Sequence, residues 1–169
     1  VHGVGMPSRS RTTTRPARPG MPPDEALALL RAGNERFAAG RTESEFPTAR
    51  RVELAAGQQP FAIVLGCADS RVPVETIFDQ EPGNIFVVRL AGGIADLNAL
   101  GSIEYAVAAF HSSIIVVLGH TQCGAVTAAV EYIRTGVKQP GHIQRLVDAI
   151  EPAARDTESG AGGLSLIHI

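Results

Sequence analysis

Apolar residues fall into two kinds of pattern along this chain. Three short runs, Phe61–Gly66, Ile85–Leu90 and Ile114–Leu118, are nearly continuous and rich in branched side chains. Strands buried on both faces of a parallel sheet read this way. Elsewhere apolar residues recur at helical spacing: Leu27, Leu30 and Phe37; Leu100, Ile103, Val107 and Phe110; Val126, Val130 and Ile133; then Ile143, Leu146, Val147 and Ile150.

Punctuation residues set the boundaries. Pro22-Pro23-Asp24-Glu25 opens the first helix, with acids where the helix dipole favours them, and Gly40 stops it. Residues 41–60 are polar connection, with a short helix expected at Ala49–Ala56. Pro73 starts another short helix carrying Val74, Ile77 and Phe78. Pro82-Gly83-Asn84 is a turn, and Gly92-Gly93 ends the second strand with permissive backbone. Residues 97–111 read as a crossover helix with Leu100, Ile103 and Tyr105 in the core. Gly136 stops the next helix, and the last is expected to break near Pro152. Strand alternating with helix predicts an α/β fold, a parallel doubly wound sheet flanked by helices.

The ends depart from this pattern. Residues 1–20 carry Arg, Ser, Thr, Pro and Gly with few large apolar side chains, and are expected to be disordered. Arg9, Arg11, Arg15 and Arg18 resemble a transit segment in composition, but a leader read through ahead of Met6 or Met21 explains them as well. One domain is assigned to residues 21–157. From about Thr157 the pattern dissolves, so 158–169 is expected to be a disordered or foreign tail. Three strands make a thin sheet, and the C-terminal part of the domain is expected to be missing.

Bulk composition narrows the function. A net charge of −2 gives no reason to expect nucleic acid or an anionic membrane as partner. No apolar run reaches the roughly 20 residues of a membrane span. Two cysteines without disulfide-like spacing suit a reducing, cytoplasmic setting, and are too few for an all-cysteine iron–sulfur site within one chain.

The chemistry gathers after two of the strands. Gly66-Cys67-Ala68-Asp69-Ser70-Arg71 follows the first, and His120-Thr121-Gln122-Cys123 the third. Parallel strands bring both stretches to the carboxyl edge of the sheet, where such folds bind ligands. Cys67, His120 and Cys123 are ligand types that zinc favours, and three protein ligands leave a fourth position open, as in catalytic sites. Cys123, at the start of a helix, has its thiolate favoured by the dipole. Asp69 can orient a reacting water, and Arg71 can hold Asp69 by a bidentate pair. Taken singly, each has a plainer reading: inert buried thiols, a satisfied core histidine, a structural ion pair.

Together, Cys67-x-Asp69-x-Arg71 and His120-x-x-Cys123-Gly124 resemble the paired signatures of the β-class carbonic anhydrases. The resemblance runs from about Asp24 to Asp156 and includes Phe86-Val87-Val88-Arg89 and Gly101-Ser102-Ile103-Glu104-Tyr105. It implies one zinc per chain on Cys67, His120 and Cys123, an Asp69–Arg71 dyad, and reversible hydration of CO2 to bicarbonate and a proton by zinc-bound hydroxide. It also implies that Asp69 can take the fourth zinc position in a closed state at lower pH. Gln58, nine residues before Cys67, and Gly124 become substrate-binding candidates. Homodimers or higher homo-oligomers are implied, with apolar residues of a neighbouring copy lining the CO2 pocket. Leu90 and Gly93 replace asparagines common in the family. The absence of Trp predicts that an allosteric bicarbonate site known in some members is absent. Carbonyl sulfide or carbon disulfide hydrolysis, and a zinc-stabilised binding module without turnover, are the alternatives. A nucleotide-binding domain is disfavoured because no G-x-G-x-x-G follows a strand.

Overall fold

The computed structural model describes residues 20–158. Apart from Gly20, the expected disordered leader lies outside the described residues, as does the expected tail from 159 onward.

Three parallel strands form the sheet: β1 (Ala62–Cys67), β2 (Ile85–Leu90) and β3 (Ile114–Leu118), in the order β2-β1-β3. Register runs from Ala62 opposite Ile85 and Ile114 to Gly66 opposite Arg89 and Leu118. The chain leaves β1 to one side and returns on the other, so the carboxyl ends of β1 and β3 flank a topological switch point. Only the central strand is buried along its whole length. β3 leaves Ile115 and Val117 exposed, at 50% and 70% of their area.

Helices cover both faces. On one, α1 (Pro23–Ala38) and α3 (Val74–Ile77) place Leu30, Val74 and Ile77 against Ala62 and Val64. On the other, α4 (Leu97–Phe110) sets Ala99, Ile103 and Ala106 against Ile63, Leu65 and Val88. Burying each such branched side chain contributes about 1.5–3 kcal/mol. α5 (Gly124–Thr135) and α6 (Ile143–Glu158) close a third cluster through Ala129, Val147 and Ile150. α2 (Thr48–Ala55) buries no residue and lies where a short helix is expected.

Local chemistry explains the ends. Gly40 takes φ +67 after α1, its amide donating to Phe37 while that of Arg41 donates to Arg36; these two bonds make a Schellman stop. Asp96 caps α4 by accepting from the amides of Asn98 and Ala99.

Three expectations are corrected. Leu100, Val107 and Tyr105 are 43%, 44% and 58% exposed rather than core: α4 carries apolar residues on more than one face, and its small residues Ala99 and Ala106 with Ile103 make the closer approach to the sheet. In α5 the fully buried position is Ala129, while Val126 is exposed, because α6 seats against the alanine face. α6 runs through Pro152 to Glu158 instead of breaking. The cost of an interior proline, about 3 kcal/mol, is set against burial of Val147 and Ile150 against α5, about 1.5–3 kcal/mol each, with Ala154 buried beyond the proline.

Candidate metal centre

β1 ends on Cys67 because its ladder with β2 closes at Leu90, and the chain then turns outward through Ala68 to Asp69. β3 ends at Leu118, and Gly119-His120 leads into a turn, with Gln122 at φ +55, that delivers Cys123 as the N-cap of α5. The two predicted stretches therefore meet at one sheet edge. The Cys67 and Cys123 sulfurs lie 3.9 Å apart, and a ring nitrogen of His120 joins them with every separation within 4.8 Å.

These distances suit a shared ion. Two sulfurs at about 2.3 Å from a tetrahedral centre stand about 3.8 Å apart. A disulfide needs about 2.05 Å, and both cysteines are free and buried. His120 Nδ1 lies 2.9 Å from the Thr121 carbonyl, which can only accept, so the proton is assigned to Nδ1 and Nε2 carries the lone pair. Nε2 is buried and has no hydrogen-bond partner. An orphaned buried acceptor beside two thiols is what a metal ligand looks like without its ion. The Cys67, His120 and Cys123 side chains thus fit zinc in number, donor type and spacing.

The surroundings favour anionic sulfur. Burial pushes the Cys67 thiol up, but the Asp69 amide at 3.4 Å, the His120 ring, the Gly92 amide at 3.3 Å and Cys123 outweigh it, lowering the pKa to about 7. Gly92 sits in the 3₁₀ turn Ala91–Gly93 that follows β2. Asp69 Oδ1 accepts from the Arg71 amide and Nε, each at 2.9 Å, and Oδ2 accepts from Nη2 at 2.7 Å. This fork holds the Asp69 carboxyl well below the usual carboxylate range. Arg71 Nη2 also donates to the Gln122 carbonyl at 3.2 Å, tying the first stretch to the second. Asp69 Oδ2 stands 4.0 Å from His120 Nε2, beside the sulfurs but turned to Arg71.

The remaining candidates separate. Gly124 is the first residue of α5, exposed, with nothing within 4 Å of where a Cβ would be. Gln58 is not brought to the cluster. It precedes β1, at the opposite end of a six-residue strand spanning roughly 20 Å, where it lines a shallow cavity of about 350 Å³ with Leu54–Gly57 and Gly83. Sequence reasoning gave Arg89 no site role and Gly92 only that of permissive backbone at the end of the second strand, yet both touch the Cys67 turn. The signals were the place of both at the end of a strand paired with β1, the Phe86-Val87-Val88-Arg89 stretch of the resemblance and the Gly92-Gly93 pair.

Comparison with known proteins agrees with this geometry. The carbonic anhydrase family model matches residues 62–164. Carbonic anhydrase 2 of Mycobacterium tuberculosis is 48% identical over 136 residues, covering 80% of this chain and 66% of that protein. The carbonic anhydrase of Mycolicibacterium smegmatis is 43% identical with the same coverage. Coccomyxa β-carbonic anhydrase in complex with acetazolamide superposes with a TM-score of 0.59 at 28% identity, covering 83% of this chain and 61% of that one. Tetrameric β-carbonic anhydrases from Sordaria macrospora give 0.60 at 25% identity, with 85% and 71% covered. The chain thus spans 66% of the length of these curated relatives. With its parallel sheet, its cysteine–histidine–cysteine cluster and these likenesses, the chain belongs to the carbonic anhydrase family, in its β class.

Proposed function

We propose that the protein binds one zinc ion through Cys67, His120 and Cys123 and reversibly hydrates CO2 to bicarbonate and a proton. The observation that carries this reading is the convergence of two buried sulfurs with the buried, unpartnered Nε2 of His120. Bound there, zinc would supply a Lewis acid that brings the pKa of a coordinated water to about 7.

The protein's own groups prepare the rest. Cys67 and Cys123 balance the charge of a divalent ion, and the Nδ1–H bond of His120 to Thr121 keeps Nε2 free to ligate. Asp69, held anionic by Arg71, can only accept a hydrogen bond, so it orients the attacking oxygen and leaves its lone pair for carbon. Gly124 offers one of the unpaired amides of the first turn of α5 to a substrate oxygen. Gln58 cannot reach the centre of its own chain; in this reading it acts from a second copy. A homo-oligomer is supported by the exposed apolar residues Leu97, Leu100, Tyr105, Ile115 and Val117 and by the tetrameric Sordaria relatives. The zinc domain is taken as residues 21–157. Among the described residues no helix is long and apolar enough to cross a membrane.

Metal content measured beside CO2 hydration tests the proposal. Wild type is expected to hold one zinc per chain and to hydrate CO2. Cys67→Ser and His120→Ala are expected to lose metal affinity and activity together. A Cys67→Ser protein retaining zinc and full hydration overturns it.

A further inference from the structure

Arg89 lies on β2, in register with Gly66 of β1, a residue with no side chain to compete for the same space. Its guanidinium crosses to the turn beyond β1. Nε donates to the Cys67 carbonyl at 2.7 Å and Nη2 to the Asp69 carbonyl at 2.5 Å. Pairing of β1 with β3 has already ended at Gly66, so the sheet itself does not fix this segment on that side. Two carbonyls, two residues apart, converge on one rigid planar fork, and that convergence sets the shape of the turn. No carboxylate of the described residues lies within salt-bridge distance of Arg89, so its donors serve the turn rather than an ion pair.

We propose that Arg89 is a positioning residue of the metal centre: its guanidinium fixes the turn from Cys67 to Asp69, and with it the relative placement of the Cys67 sulfur and the Asp69 carboxylate. With Arg89 in place every polar group of Asp69 is engaged. Its amide donates to Cys67 Sγ, its carboxylate accepts from Arg71, and its carbonyl accepts from Arg89 and from the Val72 amide. Without the fork the turn keeps the Ala68 amide on the Leu90 carbonyl and the Val72 amide on the Asp69 carbonyl, but nothing then holds the Cys67 and Asp69 carbonyls to one another. Groups that hold ligands in this way typically contribute 10–100-fold to metal affinity. The inference rests on the reading of Cys67 as a zinc ligand.

The test compares wild type, Cys67→Ser, Arg89→Gln and Arg89→Lys. Zinc affinity is measured by competition with a chromogenic chelator, and the visible spectrum is recorded after cobalt substitution. Arg89→Gln is expected to weaken zinc binding about 10–100-fold and to change the thiolate-to-cobalt bands. Arg89→Lys, which keeps the charge but reaches one carbonyl at a time, is expected to fall between Arg89→Gln and wild type. Wild-type zinc affinity and cobalt bands in Arg89→Gln overturn the proposal, and if that variant does not fold, the same result in Arg89→Lys does so. A drop in thermal stability with unchanged cobalt bands also overturns it, since that marks a structural role alone. Equal zinc binding by wild type and Cys67→Ser is a different failure, that of the ligand assignment itself.

Discussion

The amide of Gly92 donates to Cys67 Sγ across 3.3 Å, from a 3₁₀ turn that is itself seated against α6. A Cβ on Gly92 would lie 2.5 Å from Ile150 Cδ1 and 3.2 Å from the Ala125 Cβ, and its backbone sits at φ +77. One glycine therefore joins three requirements: a left-handed backbone, a close helix contact and a donor to a candidate ligand.

Gly92→Ala is accordingly expected to destabilise the fold. Left-handed backbone costs an alanine about 1–2 kcal/mol, and overpacking against Ile150 adds about 1–3 kcal/mol. Because the clash falls on the tip of a flexible side chain, Ile150→Ala in the same protein should recover the overpacking part but not the backbone part. Urea unfolding of the two single variants and the double variant measures this coupling. Strictly additive effects would show that Ile150 does not confine the turn.

The Cys67 thiol, lowered to about 7, gives a pH dependence that can be followed in metal-free protein. An unfolded cysteine titrates near about 8.5, so between these values the unfolded chain binds more protons than the folded one. The stabilisation is fully present above the unfolded value and is lost as pH falls through about 7. Unfolding midpoints of metal-free wild type should therefore rise from about pH 7 to about pH 8.5, and Cys67→Ser should lose that rise. Thiolate absorbance, taken as the difference between wild type and Cys67→Ser, should reach half its amplitude near pH 7. A half-point near the ordinary cysteine value would mean that the two amides do not hold the thiolate.

The outline of the fold was legible because each strand is a contiguous apolar run and several helix ends carry a signal: Pro23, Pro47, Pro73 or Asp96 at a start, Gly40 or Gly136 at a stop. Ile85–Leu90 and Ile114–Leu118 occupy the predicted positions, and Gly40 and Gly136 stop their helices with φ +67 and +69. The three candidate ligands were legible for a similar reason: each follows a strand of one parallel sheet, and topology alone carries them to one edge. Which face of α4 is buried was not. Leu100 and Val107 outrank Ala99 and Ala106 in hydrophobicity, but small side chains are what permit the close approach. Gly33 hid for the same reason, since a Cβ there would fall 1.8 Å from the Phe78 carbonyl oxygen, a contact that exists only once α1 lies on the end of α3. Arg89 reaches the Cys67 carbonyl and Gly92 gives its own amide to the Cys67 sulfur, each across more than twenty positions, and no local pattern encodes that.

Asp79 was equally invisible in the sequence, and it supplies the last prediction. Its side chain has no solvent exposure, its backbone stands at φ +47, and its carboxylate gathers the polar connection after α1. Oδ1 accepts from the amides of Glu43 and Ser44 at 2.9 and 2.8 Å, and Oδ2 from Arg36 Nε at 2.5 Å. Burial pushes the carboxyl up, but the Ser44 amide, Arg36 and the Glu43 amide outweigh it and hold it well below the usual carboxylate range. An asparagine can still accept from the two amides, but its NH2 would face the Arg36 donor. Asp79→Asn should therefore cost about 2–3 kcal/mol at neutral pH, the scale of a hydrogen bond to a charged group. A depressed carboxyl stabilises above the unfolded value, about 3.9, and loses that contribution as pH falls further toward the folded value. The difference between wild type and variant should thus stay constant from neutral pH down to about pH 5 and shrink below about pH 4. Urea unfolding at several acid pH values reads it directly. A difference that does not shrink in acid would mean that the charge of Asp79 is not what gathers the loop.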